Sequence, residues 1–416
     1  MVDEALLNCP YCARSLDCRA LPVVATSYTA RTLASQLAPP AAPRSFLEAD
    51  LEPSGDFSEM QPKSGAAAVG HLGRYPILWQ PTTQDMRRQV LQPVWDHGSP
   101  IDRPARACPH CLEALPPEAG FARIHTFGIV GTPSAGKSHF IAACLRLADE
   151  SQGLRPFGIE DFRPTERTEQ ILQQEYRRVL EIEHSVLPKT NPGNKTNVRF
   201  QPLTFKAEMG GAERLFMFHD VAGEQLLDAG MRDETLPFLR NVAGMIFLLD
   251  AWGFRSVREE IGHLEGADNS PLEINQVRLI RALADDYESI DNRLATLPIA
   301  FAINKSDLIF RAFGRINDAL HETEAEKPSL RKQQIDTIGR VLAEDLFPML
   351  DGSNLRSAIE RFHNYSLHLI ATLGYQPAND KVERLSSVRL LDPLISLMEN
   401  VLVSENPPPS RFRRRR

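Results

Sequence analysis

One short stretch of this chain, Gly131-Thr-Pro-Ser-Ala-Gly-Lys-Ser138, has the spacing G-x-x-x-x-G-K-[ST] between an apolar run, RIHTFGIV, and a helical pattern, HFIAACLRLADE. That spacing makes a phosphate cradle. Gly131 and Gly136 let the backbone turn its N–H groups inward across Thr132, Pro133, Ser134 and Ala135, Lys137 reaches terminal phosphates, and Ser138 can hold a magnesium ion. The helix that follows adds the partial positive charge of its N-terminus. A glycine-rich turn that binds nothing is the plain alternative, and the strand-loop-helix setting weighs against it.

Further along, RLFMF runs into HDVAGEQ. Here Asp220 can reach a magnesium ion through water, and the Gly223 N–H is placed to meet a γ-phosphate. The tetrapeptide D-x-x-G is common, so its place after a buried strand is what gives it weight. A third stretch, LPIAFAINKSD, ends a strand in Asn304-Lys305-Ser306-Asp307. The Asp307 carboxylate can accept two hydrogen bonds from the guanine N1–H and N2 amino group, a pair that adenine does not offer. The Lys305 stem can lie along the base. Capping of the next helix is the bland role for Asp307.

Cysteine spacing points to a second kind of chemistry. Cys9-Pro-Tyr-Cys12 and Cys108-Pro-His-Cys111 each supply two thiolates, and together they complete a tetrahedral site for one zinc. They resemble the knuckles of a zinc ribbon. The 95 residues from Ala13 to Ala107 far exceed ribbon spacing, so they read as an insertion whose ends the metal pins together. Loop closure costs only slowly more as length grows. Redox pairs are the alternative, but a proline after both Cys9 and Cys108 does not suit two copies of a helix-start C-x-x-C. Cys18 and Cys144 read as bystanders, the latter on the buried face of the phosphate-loop helix. His110 can stand in for a cysteine ligand but is expected to point away.

In this order, GTPSAGKS, DVAG and NKSD resemble the Ras-like P-loop GTPases of the translation-factor-related branch over about residues 122–404. The resemblance implies GTP as substrate, a magnesium cofactor, hydrolysis to GDP and a switch in conformation. It assigns charge stabilisation to Lys137, the magnesium shell to Ser138, Asp220 and a switch threonine, and base contacts to Asn304, Lys305 and Asp307. ATLG at 371–374 is a loose match to the family's final base-side loop, with Ala371 as the contact. Two features depart from the pattern. A helical insertion, 163–187, is expected ahead of the switch threonine, which is Thr190 or Thr196, with Thr190 preferred for its Leu-Pro setting. Where relatives place a water-orienting glutamine, this chain has Glu224 and then Gln225, and either can serve. The long insertion, DVAGE and the leading cysteine pairs are also similar to bacterial double-GTPase proteins of conflict systems. A scaffold that binds GTP with little turnover and recruits a protein partner through the zinc module is the rival reading.

These groups need a frame to hold them. From Phe121 onward, short apolar runs alternate with amphipathic segments, the pattern of an α/β domain with a mostly parallel, doubly wound sheet. Strands are expected at 124–130, 198–208, 215–219, 245–250, 298–303 and 367–371, with helices in the gaps, among them 138–149, 165–187 and 389–402. A small zinc-ribbon-like module over 1–120 precedes the GTPase domain of 121–404. Fifteen of the 31 prolines fall in the first 120 residues, and 37–70 is rich in Ala, Pro, Ser and Gly, so much of that region is expected to be irregular. Trp79 and Trp95 read as packing residues.

Bulk properties narrow the class. The chain has 416 residues, 42% of them hydrophobic, enough for a full core. A net charge of -7 argues against a general nucleic-acid surface, although the tail over 405–416, expected to be disordered, ends in RFRRRR. That tail reads as a contact for an anionic partner or as an aid to solubility. No segment approaches the roughly 18 apolar residues of a membrane span, so the expectation is a cytoplasmic protein.

Overall fold

Side-chain size, as well as hydropathy, alternates along the apolar runs of the second half, and the computed structural model shows what each face meets. It describes residues 6–25, 70–72, 75–79, 104–116, 118–132, 135–150, 153–185, 187, 202–223, 226, 237–262, 276–290, 293–314, 316–350, 353–375, 381–382 and 386–405.

The N-terminal part holds more order than its composition suggests. A two-stranded antiparallel ladder, β1 (Leu6–Asn8) and β2 (Ser15–Asp17), carries the first cysteine pair on its connecting loop. Beside it in sequence, β3 (Val23–Ala25), β4 (Gly70–Leu72), β5 (Tyr75–Trp79) and β6 (Pro104–Arg106) form a four-stranded sheet in the order β4-β5-β3-β6. Just after the Ala/Pro-rich stretch, residues 70–79 form a hairpin in which Trp79 is in register with Val23. Trp95 lies outside the described residues.

The main sheet has seven strands: β7 (Arg123–Gly131), β8 (Ile159–Pro164), β9 (Leu203–Met209), β10 (Ala212–Ala222), β11 (Gly244–Asp250), β12 (Ile299–Asn304) and β13 (Tyr365–Leu369). Their order is β13-β12-β11-β7-β10-β9-β8. Five strands, β13 through β10, run parallel, and β9 and β8 follow antiparallel at one edge. The sheet is thus mostly parallel, with helices on both faces, as expected.

Several boundaries differ for identifiable reasons. β10 runs to eleven residues because it pairs with β9 across Gly210-Gly211, both at positive φ (60° and 75°). Two central residues with positive φ make a turn whose twist matches the strands it joins. The 163–187 insertion is not helical at its start. Residues 159–164 form the edge strand β8, and Pro164, which has no N–H to give, closes it. The helical part then begins, as α2 (Glu166–Ile171), after α1 (Lys137–Glu150), and continues as a π-helix over Leu172–Ile182.

Two apolar layers sandwich the sheet. On one face Met245, Phe247 and Leu249 of β11 and Ile299, Phe301 and Ile303 of β12 pack with α3 (Gln276–Glu288) and α4 (Ser306–Phe313). The intervening residues, Ile246, Leu248, Ala300 and Ala302, face α1 and the C-terminal helix. That helix, α6 (Asp392–Glu405), follows α5 (Pro328–Val341) in the chain. Alanines on β12 let α6 approach the sheet closely, while the large residues on the other face fill the deeper layer. Phe301, 1% exposed between Phe247 and Phe362, is the centre of that layer. Phe301→Ala should lower stability by about 3–5 kcal/mol in chemical denaturation, since a rigid sheet cannot collapse onto the cavity.

Candidate functional site

The strand order places β7 between β10 and β11: the chain leaves β7 for β8 at one edge of the sheet, and leaves β10 for β11 on the other side of β7. The crevice beyond the carboxyl end of such a strand is where open α/β sheets bind ligands. Here that end is Gly131. A Cβ at Gly131 would sit 2.5 Å from the Leu248 carbonyl oxygen of β11, so only glycine lets β7 turn away there. Gly136 has φ +83°, and a Cβ on it would meet the Asn304 side chain at 2.7 Å. Lys137 folds back toward the end of β7: Nζ donates to the carbonyls of Gly131 (3.0 Å) and Thr132 (3.1 Å). Lys137 is only 8% exposed. The buried ammonium is also close enough to the Asp220 carboxylate to lower its pKa. Pro133 and Ser134 lie outside the described residues.

Asp220 comes from β10, in register with Ile129 of β7. Ser138 Oγ donates to Asp220 Oδ2 at 3.2 Å. The other carboxylate oxygen, Oδ1, is buried without a hydrogen-bond partner. Burial raises the Asp220 pKa, while Lys137 and the Ser138 hydroxyl pull it down. A hydroxyl, a carboxylate and an orphaned anionic oxygen are hard oxygen donors of the kind magnesium takes alongside its waters. The donor set fits that ion. Gly223 is pressed against the same place, since a Cβ on it would lie 2.6 Å from the Gly131 carbonyl oxygen. Glu224, Gln225, Thr190 and Thr196 lie outside the described residues.

The opposite end of the crevice is organised by Asn304, 2% exposed at the close of β12. Its Nδ2 donates to Ala135 of the phosphate loop at 2.9 Å. Its Oδ1 accepts from Lys305 N (2.9 Å), Thr372 N (3.1 Å) and Thr372 Oγ1 (3.1 Å). Lys305 is held at φ 64°, with Nζ 2.9 Å from the buried Asp250 carboxylate. Asp307 follows in the first turn of α4, half-buried. Ala371 is in the loop after β13 but is 1% exposed, and its N–H donates to Val388 O. Gly374, at φ +80°, turns that loop where a Cβ would strike Ser386 O at 2.1 Å.

Residues not singled out from sequence also belong here. Asp250 orients Lys305, Gln276 grips the Asp250 backbone in both directions (2.6 and 3.0 Å), and Thr372 completes the Asn304 shell. Asp250 was readable in principle, as a carboxylate ending an apolar strand on the ligand side of the sheet. Gln276 and Thr372 carry no such signal, because their partners are distant in sequence.

The four paired cysteines converge. All four sulfurs lie within 4.8 Å of one another, with Cys9–Cys111 and Cys12–Cys108 at 3.7 Å. A zinc–sulfur bond of about 2.3 Å in a tetrahedron places sulfurs about 3.8 Å apart, so the cluster has the size of a four-thiolate zinc site. The two loops are copies of each other. Cys9 N–H donates to Arg14 O and Ala13 N–H to Cys9 O, as Cys108 N–H does to Glu113 O and Leu112 N–H to Cys108 O. Ala13 and Leu112 share the same left-handed backbone, φ 61° and 62°. Hydrogen bonds from the other thiols favour a thiolate at Cys108 and oppose one at Cys9. His110 is exposed and outside the cluster; Cys18 and Cys144 are buried apart from it. The cluster rests on the main sheet through Glu118–Lys206, Asn241 Nδ2 to Ala13 O (2.9 Å) and Tyr11 edge-on to His219.

No family model matches the chain. Over 308 residues it is 21% identical to a Mycolicibacterium smegmatis protein provisionally named ESX-1 scaffolding and assembly protein SaeC, covering 69% of this chain and 77% of that one. Among solved structures it is similar to the small GTPase Arl6 (BBS3) of Trypanosoma brucei, which holds the nucleotide analogue GppNp. That similarity is 13% in sequence over 67% of this chain and 98% of the other, with a TM-score of 0.28, too low to carry an argument. Among the described residues, no helix is long and apolar enough to cross a membrane.

The cysteine geometry predicts about one zinc per chain by elemental analysis, and Cys111→Ala should lose most of it, because three thiolates leave the cage open. Full zinc retention in that variant would place the ligands elsewhere.

Proposed function

We propose that this chain binds GTP in the crevice at the end of β7 and hydrolyses it slowly to GDP. The observation that carries this reading is the single buried side chain of Asn304, which ties the phosphate loop to the turn bearing Asp307. A phosphate cradle and a base-reading turn held together at fixed separation are what a nucleotide needs and what either motif alone cannot supply. In this reading Lys137 meets the terminal phosphates, Ser138, Asp220 and a threonine, Thr190 or Thr196, hold magnesium, and Gly223 offers its amide to the γ-phosphate. Magnesium supplies charge neutralisation on the phosphate oxygens when bound. Asp307 selects guanine. Ala371 is the residue of the last loop beside the base, with its own N–H donated to Val388 O. Glu224 or Gln225 orients the attacking water.

A nucleotide-gated scaffold is the second reading, favoured by the name of the Mycolicibacterium smegmatis relative. In it the zinc module recruits a protein partner and turnover is incidental. Nucleotide content after purification separates the two: GDP implies turnover, GTP a locked binder. The narrower likeness to double-GTPase proteins of conflict systems rests on the insertion ahead of D-x-x-G and on the cysteine module, and gene neighbourhood tests it. An anionic partner for 411–416 is tested by deleting the tail, which should weaken polyanion binding at low salt.

Asp307→Asn should weaken GTP binding by several kcal/mol and improve binding of xanthosine triphosphate, because the amide donates to the xanthine oxygen and loses the paired acceptance from guanine. Titration with both nucleotides checks it; an unchanged preference for GTP removes Asp307 from the site. Lys137→Ala should abolish binding or turnover. In single-turnover assays Glu224→Ala should slow hydrolysis with GTP affinity nearly intact, and an unaffected rate would pass the water-orienting role to Gln225 or another group.

A further inference from the structure

We propose, resting on the guanine-nucleotide reading above, that His139 is a positioning residue of this site: it fastens Leu187, at the end of the insertion, to the first turn of the phosphate-loop helix and so makes that end respond to what Ser138 binds.

His139 follows Ser138 directly in α1, so one turn of helix sets both the hydroxyl facing Asp220 and the imidazole. Its Nε2 accepts from the Leu187 N–H at 3.0 Å. Acceptance there requires a lone pair on Nε2 and assigns the ring proton to Nδ1. A protonated ring would have no lone pair to offer.

Around Leu187 itself the packing is apolar, and polar contacts flank it on either side. Leu187, 7% exposed, packs with Ala142 of α1, Leu180 of the π-helical segment and Val382. Just before it, His184 O accepts from Val382 N at 2.9 Å and Ser185 pairs with Lys381. Apolar contacts tolerate sliding by a fraction of a residue, whereas a hydrogen bond to one amide does not. The His139 ring therefore holds Leu187 in particular at the first turn of α1, while Arg177 pairs with Glu150 at the far end of that helix. When Ser138 Oγ exchanges Asp220 for a metal-bound nucleotide, the shift passes through one peptide unit to His139, and from its ring to Leu187.

The test is amide hydrogen exchange on the full chain, read on the peptide containing Leu187, in wild type, His139→Leu and His139→Gln. Leucine fills the space without an acceptor, and glutamine restores an acceptor oxygen. His139→Leu should speed exchange at Leu187 about tenfold, with most of the protection regained in His139→Gln, as the loss of one hydrogen bond requires. Release of fluorescent GDP in magnesium should quicken roughly three- to tenfold in His139→Leu and stay within about twofold of wild type in His139→Gln. Zinc content and thermal melting of His139→Gln confirm that the comparison is made on folded protein. Unchanged protection in His139→Leu, or equal loss in both variants, overturns the anchor. Lost protection with wild-type GDP release overturns the coupling. A wild type that binds no guanine nucleotide, while His139→Leu still frees Leu187, sinks the guanine reading and the site role together but leaves the anchor standing.

Discussion

A single buried carboxamide holds the two halves of the crevice at a fixed separation. Asn304 donates to Ala135 in the G-x-x-x-x-G-K-S loop and accepts from Lys305 and Thr372 beyond the ends of β12 and β13, and it is almost entirely removed from water. In a low-dielectric interior each of these bonds is costly to leave unmade, on the order of 1–3 kcal/mol for a stranded group. The amide therefore acts as a rigid spacer rather than as a source of net stability. Gly136 exists to admit it, because a Cβ at that position would collide with Nδ2. Motifs separated by 168 positions, Gly136 and Asn304, are in this sense one structural unit.

Around that spacer, charge is buried only where partners surround it. Asp250 is 1% exposed and meets the Lys305 ammonium and the Trp252 amide, while Gln276 satisfies its backbone. Behind the last loop, Asp392 lies between Arg331 at 2.6 Å and Arg389 at 3.2 Å, with burial raising its pKa and both guanidinium groups lowering it. Arg389 adopts φ 51° there, next to Val388, which pairs with Ala371. Such networks contribute little net stability, but breaking one partner is expensive, so they favour one arrangement of the loops over others. Asp220 keeps one buried oxygen unmatched beside the Ser138 hydroxyl, an arrangement that suits a cation.

The cysteine cluster addresses a different constraint. Its two cysteine pairs are 95 residues apart, and neither hairpin has an apolar core beyond a few residues such as Leu16, Leu21 and Leu115. A metal that binds only the folded arrangement stabilises it by its full binding free energy, which so small a core cannot match. The module sits against β9, β10 and the 237–241 turn through Lys206, His219 and Asn241. His219 precedes Asp220, so the contact with the cysteine module and the carboxylate facing Ser138 share one strand.

What the sequence determined by itself was everything written in local spacing. G-x-x-x-x-G-K-S, D-x-x-G, N-K-S-D and the two C-P-x-C pairs are each short enough for covalent geometry to fix their shape, and the parallel strands are apolar on both faces, so their runs stand out. The Gly210-Gly211 hairpin was legible too, through two residues free to take positive φ. Only the tertiary structure decided the rest. That β8 is a strand depended on an open sheet edge at β9, not on its own mixed composition. That Ala371 has no amide to spare depended on Val388, and that His139 holds Leu187 depended on where a π-helical insertion ends. These are pairings between residues far apart in the chain. No local preference encodes them, because each partner is chosen by the geometry of the sheet that both are packed against.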